Sequence, residues 1–392
     1  MIRSFDEEQP TRMSTPTCYC RGDTGPAVAE IRARLARLGL LPETAARPRP
    51  PAVFDDAVDV AVRTFQQQRG ITVDGRVGPK TYQLLDEARW RLGDRILSYV
   101  VSNVLAGDDV AALQRRLLDM GFDCGRVDGV LGARTEVALR EFQRNVGLRP
   151  DGTCGPQTFK ALDRLARTVV GGRPNALREE TALARRGPAL SGKVVVVDPG
   201  HGGADRGVVG GGLDEATIVE DLAARVEGRL TATGVLAFLT RGSDATPDEA
   251  DRAAFANAAE ADLLISLHCD ANVSAKAQGI ATYYYGNDRY GHASVVGERF
   301  AELVQREIVA RTDLADCRCH GKTWDLLRYT RMPAVRIELG YLTHAGDAAR
   351  LSDPKFRDVV AESIVVAVRR LYLPPDDDAP TGTLRLPELV RG

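Results

Sequence analysis

From residue 193 onward, short unbroken apolar runs alternate with stretches whose apolar residues recur at helical spacing. Val194, Val195, Val196 and Val197 are four β-branched residues in succession. Such a run predicts a strand buried on both faces, and therefore a parallel one. The runs ending at Leu267 and Ile337 have the same character. Predicted strands cover 193–198, 235–240, 263–267, 279–285 and 334–339. Between them, apolar residues at helical intervals, such as Ile218, Leu222, Val226 and Leu230, predict helices over 215–231, 248–259, 294–311 and 355–371. This alternation predicts an α/β domain over 193–373 with a mostly parallel sheet covered by helices on both faces.

The first half of the chain has a different pattern, and it occurs twice. Gly22-Asp23 followed by Val28, Ile31, Leu35 and Leu38-Gly39 corresponds to Gly107-Asp108 followed by Val110, Leu113, Leu117 and Met120-Gly121. Phe54, Val58, Val62 and Phe65-Gln66 then match Leu131, Thr135, Leu139 and Phe142-Gln143. Each copy closes with an Asp-Gly-x-x-Gly-Pro-x-Thr turn, at 74–81 and 151–158, that feeds an apolar helix. An internal repeat of this length with glycine connections predicts two small all-α three-helix units, at 22–92 and 105–168. The first carries an extra Pro- and Arg-rich loop at 42–51. Residues 1–21 read as a disordered start, 169–192 as a linker with a short helical piece near 179–186 that leaves the repeats free to reorient, and 374–392 as an acidic, Pro-rich tail.

Composition adds exclusions. A net charge of −2 over 392 residues calls for neither nucleic acid nor an anionic membrane surface, and no run is long and apolar enough for a membrane span. The first residues contain no apolar leader, so a cytoplasmic location is expected. Seven cysteines, an odd number scattered through the chain, suit reduced thiols better than a disulfide framework.

The candidate chemistry lies where the apolar runs end. The first run opens into Asp198-Pro199-Gly200-His201-Gly202-Gly203, the second delivers His268, and the third delivers Glu338. Carboxyl ends of parallel strands lie side by side, so these three side chains should converge on one rim of the sheet. Glu215 heads the helix that follows the first strand. Two imidazoles and one carboxylate make a catalytic zinc set with an open fourth position, and a further glutamate can serve as base.

These residues, with Asp221-Leu222-Ala223, Arg252, Asn257, Leu327-Arg328 and the stretch from Pro333 to Leu342, resemble the zinc-dependent N-acetylmuramoyl-L-alanine amidases of the type 3 family. The resemblance implies Zn2+ held by His201, Glu215 and His268, with Glu338 as the catalytic glutamate and Arg328 orienting substrate. Glu220 is a rival ligand, but it lies more than a helical turn beyond Glu215. The Leu-Gly, Phe-Gln and Asp-Gly signatures of the first half resemble peptidoglycan-binding domains of type 1. The whole arrangement is similar to actinobacterial cytoplasmic members of the family. It implies hydrolysis of the amide between N-acetylmuramic acid and L-alanine in peptidoglycan or a muropeptide. The alternative is a non-enzymatic regulator that binds a peptidoglycan precursor or a precursor-synthesis enzyme. Thr381 or Thr383 in the tail would then offer a site for a phosphothreonine-reading protein.

Other clusters carry bland expectations. Cys18-Tyr19-Cys20 lacks further ligands, and Cys317-Arg318-Cys319-His320 reads as a loop outside the metal set. Tyr283, Tyr284 and Tyr285 read as cross-strand packing rather than a sugar platform. Cys269, beside His268, reads as a small buried residue whose thiol would make a nearby zinc site sensitive to oxidation.

Overall fold

The structure is a computed structural model that describes residues 18–42, 52–166, 174–287 and 292–373. Residues 1–17 of the predicted disordered start, the loop insertion at 43–51, part of the linker, and the tail with Thr381 and Thr383 lie outside the described residues, whereas 18–21 of that start are ordered, with Tyr19 and Val77 exchanging backbone hydrogen bonds. By contact, the described residues of 1–67 and 72–90 form one compact unit, and 68–71 with 91 onward form the other.

Among the described residues each repeat shows three helices: Pro26–Arg37, Asp56–Arg69 and Pro79–Glu87 in the first, and Asp108–Asp119, Ala133–Asn145 and Pro156–Ala166 in the second. The apolar positions at helical spacing point inward. Val28, Ile31, Leu35, Phe54, Val62 and Phe65 are buried in the first repeat, and Val110, Leu113, Leu117, Leu131, Leu139 and Phe142 in the second. One polar device recurs inside these cores. The buried amide of Gln143 donates to Asp151 Oδ1, Thr153 O and Thr158 Oγ1 and accepts from Gly152 N. Gln66 does the same for Asp74, Arg76, Thr81 and Gly75, and Gln114 for Asp128, Val130, Thr135 and Gly129. A buried amide that satisfies a turn's own groups explains why each Asp-Gly turn goes with a glutamine in the helix before it.

The α/β domain is a seven-stranded sheet. Four parallel strands run in the order β4 (Leu236–Leu239), β1 (Val194–Pro199), β5 (Leu263–Asp270) and β9 (Ala334–Tyr341). Strand β6 (Ile280–Asn287) is antiparallel to β9, with β8 (Asp316–Lys322) parallel to it on its other side and β7 (His292–Ala293) at its end. A separate two-stranded ribbon pairs β2 (Val209–Gly210) with β3 (Leu213–Asp214).

Period-two alternation divides the strands into two faces. Val195, Val197, Ile265, Leu267, Ile337 and Leu339 share a core with the helices Glu215–Ala232, Val295–Arg311 and Pro354–Tyr372. Val196, Leu264 and Ala334 face a smaller core beneath the helices Glu249–Ala258 and Asp325–Tyr329. On that second face each strand turns polar toward its carboxyl end, through Val196 to Asp198, Leu264 to Ser266 to His268, and Ala334 to Arg336 to Glu338. The register places Asp198 beside Ser266, Ser266 beside Arg336 and His268 beside Glu338.

Two sequence expectations change. The stretch 317–320 is strand β8 rather than a loop, and His320 Nε2 lies 2.7 Å from Cys317 O. The short helical piece expected in the linker is the helix Pro174–Arg185, and its Glu179 accepts hydrogen bonds from Ser294 Oγ and Val296 N at the start of the Val295–Arg311 helix. That part of the connection is therefore packed on the α/β domain rather than open to motion. Cys269 faces the large core as the small buried residue expected, and burial pushes its thiol well above the ordinary range. Tyr283 packs on Trp324, with ring centroids 4.7 Å apart, as the packing expectation had it.

Candidate metal centre

His201 leaves strand β1 in a left-handed conformation with φ of 55°. A non-glycine residue there is strained, and the surroundings hold it in place. Two buried arginines grip the carbonyls of this loop. Arg252 donates to Asp198 Oδ1 and Pro199 O, both at 2.7 Å, and to His201 O at 2.8 Å. Arg241 donates to Pro199 O at 2.9 Å and Gly200 O at 3.0 Å. Arg252 was legible in the sequence pattern and Arg241 was not. Burial pushes the Asp198 carboxyl up, but Arg252, Ser266 and Thr240 outweigh it and hold the group below its ordinary value.

Two glycines set the approach distances. A side chain at Gly200 would overlap the His268 ring. One at Gly207 would lie 2.6 Å from both Glu215 Oε2 and His201 Cδ2. The glycine-rich loop is therefore a cradle, and only an absent Cβ lets these three side chains meet.

They do meet. His201 Nε2 is 3.2 Å from Glu215 Oε2, and His268 Nδ1 is 2.9 Å from Glu215 Oε1. The available ligand atoms of His201, Glu215 and His268 all lie within 4.8 Å of one another. Glu215 is almost wholly buried at the head of its helix, where Val208 N and Cys269 N also donate to it. Burial raises its carboxyl, but the hydrogen bonds from His201 and His268 prevail and hold it well below the ordinary carboxylate range. The reciprocal effect of Glu215 raises His201. On its other side His201 Nδ1 contacts Asp205 Oδ2 at 2.7 Å, which orients the ring and leaves Nε2 toward Glu215. Glu220 pairs with Arg241 instead, so the rival carboxylate is engaged elsewhere.

Glu338 stands one strand from His268. Its Oε1 accepts from Arg336 Nε at 2.8 Å, while its buried Oε2 has no hydrogen-bond partner. Arg336 also reaches Glu249 Oε1 at 3.1 Å and lies over the Trp324 ring at 4.6 Å. Sequence reasoning missed Arg336, yet the signal was present: a charged residue inside an apolar strand, two positions before Glu338 and so on the same face. Arg328 has a different place. It is buried and donates to Asp128 O of the second repeat at 2.7 Å, which makes it an interdomain contact rather than the substrate-orienting group expected. Asn257 bridges Tyr329 O and Arg331 N, a structural role.

The residues fit a metal ion: two imidazoles and a carboxylate converge, and Glu338, paired in register with His268, has a buried carboxylate oxygen that lacks a hydrogen-bond partner. A donor group of this kind on the carboxyl rim of a parallel sheet, next to a further glutamate, defines a candidate metallohydrolase. Residues 195–370 match the N-acetylmuramoyl-L-alanine amidase family, and residues 24–85 and 106–162 match the putative peptidoglycan binding domain. The chain is 48% identical over 378 residues to N-acetylmuramoyl-L-alanine amidase CwlM of Mycobacterium tuberculosis, an alignment covering 94% of this chain and 93% of that protein. It is 34% identical over 202 residues to the germination-specific N-acetylmuramoyl-L-alanine amidase of Bacillus subtilis, covering 48% of this chain and 83% of that one. Among solved structures, N-acetylmuramoyl-L-alanine amidase AmiC2 of Nostoc punctiforme is 31% identical over 45% of this chain and 96% of its own, with a TM-score of 0.42. The chain belongs to the N-acetylmuramoyl-L-alanine amidase family.

Proposed function

We propose that the protein is a zinc-dependent amidase that cuts the bond between the lactyl group of N-acetylmuramic acid and L-alanine, in peptidoglycan or in a muropeptide. His201, Glu215 and His268 would hold the metal. Bound there, zinc supplies a Lewis acid that polarises the amide carbonyl and acidifies water. Glu338 takes a proton from the attacking water at Oε2 and returns it to the leaving amine nitrogen. Arg336 fixes the Glu338 carboxylate by its other oxygen. Arg241 and Arg252 keep His201 where Asp205 can orient its ring. The two repeats belong to a peptidoglycan-binding type, which supports a wall-derived substrate. The observation that carries this reading is the buried, unpartnered Oε2 of Glu338 next to the convergent N, O, N donors.

The test is release of stem peptide from a soluble muropeptide and from intact peptidoglycan by metal-quantified protein. Zinc near one equivalent is expected, with release that Glu338→Gln lowers by roughly 10²–10⁴ at unchanged metal content. Stoichiometric metal with no release from either substrate would overturn the catalytic reading.

A further inference from the structure

Three consecutive residues of the second repeat are engaged by the α/β domain. Arg126 carries a guanidinium that donates to Met332 O at 2.7 Å, Thr330 O at 3.2 Å and Leu327 O at 3.3 Å. Val127 O accepts from the buried hydroxyl of Tyr285 at 2.9 Å, and Asp128 O accepts from Arg328 Nε at 2.7 Å. The fit extends to Gly129, where an added Cβ would stand 3.2 Å from Arg328 Nη2. Glu179 of the Pro174–Arg185 helix closes the side of this contact, 3.7 Å from Arg126 Nε, while it caps Ser294 and Val296.

The direction of need is informative. Leu327, Thr330 and Met332 belong to the end of the short Asp325–Tyr329 helix and the loop that follows it, where carbonyls have no intrahelical donor. Leu327 O also accepts from Thr330 Oγ1 at 3.3 Å, but the donor to Thr330 O and Met332 O comes from outside the α/β domain, as one nearly buried arginine. An arginine presents its N–H groups as a rigid fork that suits such a set of acceptors. Without it the carbonyls of Thr330 and Met332 would lose this donor. The loop leads within two residues into β9, which carries Arg336 and Glu338, and Trp324 at the head of the same short helix packs on Arg336.

We propose that the second repeat is a permanently docked positioning element of the α/β domain, with Arg126 as its latch, and not a mobile wall-binding arm. Through residues 126–128 it completes the 327–332 loop and holds the segment that enters β9. The Asp128-Gly129 turn is consumed by this contact. The proposal does not depend on catalysis.

Hydrogen exchange followed by mass spectrometry on the full chain tests it. Arg126→Ala is expected to raise exchange over 327–333 by roughly ten-fold or more, the loss of hydrogen bonds from a charged donor. Arg126→Lys should fall between it and the parent, and Tyr285→Phe should give a smaller increase at the same amides. Amides held by Gln114 and Gln143 report that the repeat itself remains folded and should not change. Unchanged exchange over 327–333 in Arg126→Ala, with both regions folded, overturns the proposal. Should Arg126→Ala fail to fold, Arg126→Lys and Tyr285→Phe decide: parent-like exchange over 327–333 in both overturns it, and faster exchange there supports it.

Discussion

Arg336 Nε holds one oxygen of Glu338 at 2.8 Å while its Nη1 reaches Glu249, so two carboxylates on different elements share one cation. Replacing Arg336 by leucine strands both. Breaking a buried pair from one side costs about 3–5 kcal/mol, and because Glu249 is partly exposed the lower end applies, about 3 kcal/mol by chemical denaturation. Activity should fall with it, since the carboxylate that takes the proton loses its fixed oxygen, and Arg336→Lys should recover only part because a single ammonium cannot reproduce the fork. Equal stability of Arg336→Leu and the parent would refute this. Asp198 makes a second residue-scale claim, about pH. Its folded carboxyl is held below the ordinary value near 3.9, so the stability it contributes is fully present above that value and is lost as pH falls toward the folded pKa. The stability gap between the parent and Asp198→Asn should therefore be constant from pH 7 to about 5 and narrow below about pH 4. A gap that stays constant to pH 3 would show that Arg252 and Ser266 do not favour the charged form.

The loop from Pro199 to Gly207 is the element on which the centre depends, because it brings three side chains together by omitting two. Gly200→Ala places a methyl group against the His268 ring, and Gly207→Ala places one between Glu215 and His201. Both variants should keep the far-ultraviolet spectrum of the parent and lose metal, measured as zinc per chain after dialysis. Full metal content in either variant would mean that the loop yields more easily than its two arginine grips suggest. Much of this element was legible from sequence, because three apolar runs end in His201, His268 and Glu338 and parallel strands align such ends. Strand β8 was not legible, since Asp316 to Lys322 alternates between exposed and half-buried positions without an apolar set, as an outer strand allows. The role of Arg328 was hidden for another reason: its acceptor, Asp128 O, is 200 positions away and is a backbone atom, which no side-chain pattern announces.

At the scale of the molecule, sequence predicted repeats joined to a catalytic region by an open linker, and the structure instead places the second repeat, the Pro174–Arg185 helix and the sheet within one compact unit. If such a unit unfolds as one, a ligand that binds one part of it stabilises all of it. The donors of His201, Glu215 and His268 come from three elements, the loop after β1, the start of the Glu215–Ala232 helix and strand β5, so bound metal ties these elements to one another. Zinc at about 100 times its dissociation constant then adds roughly 2.7 kcal/mol, which for a unit of this size raises its melting temperature by roughly 5 °C. Calorimetry of chelator-treated protein with and without zinc should show that rise in the transition containing the second repeat and the sheet. Any transition of the unit formed by the first repeat should stay in place and serve as an internal reference. His268→Ala should remove the zinc-dependent rise; its metal-free transition should itself lie below the parent's, because the buried Glu215 carboxylate loses a partner, so the rise is read within each variant. A rise that persists in His268→Ala would place the stabilising ion elsewhere on the chain, and a rise confined to a sheet transition separate from the second repeat would show that the two do not unfold as one.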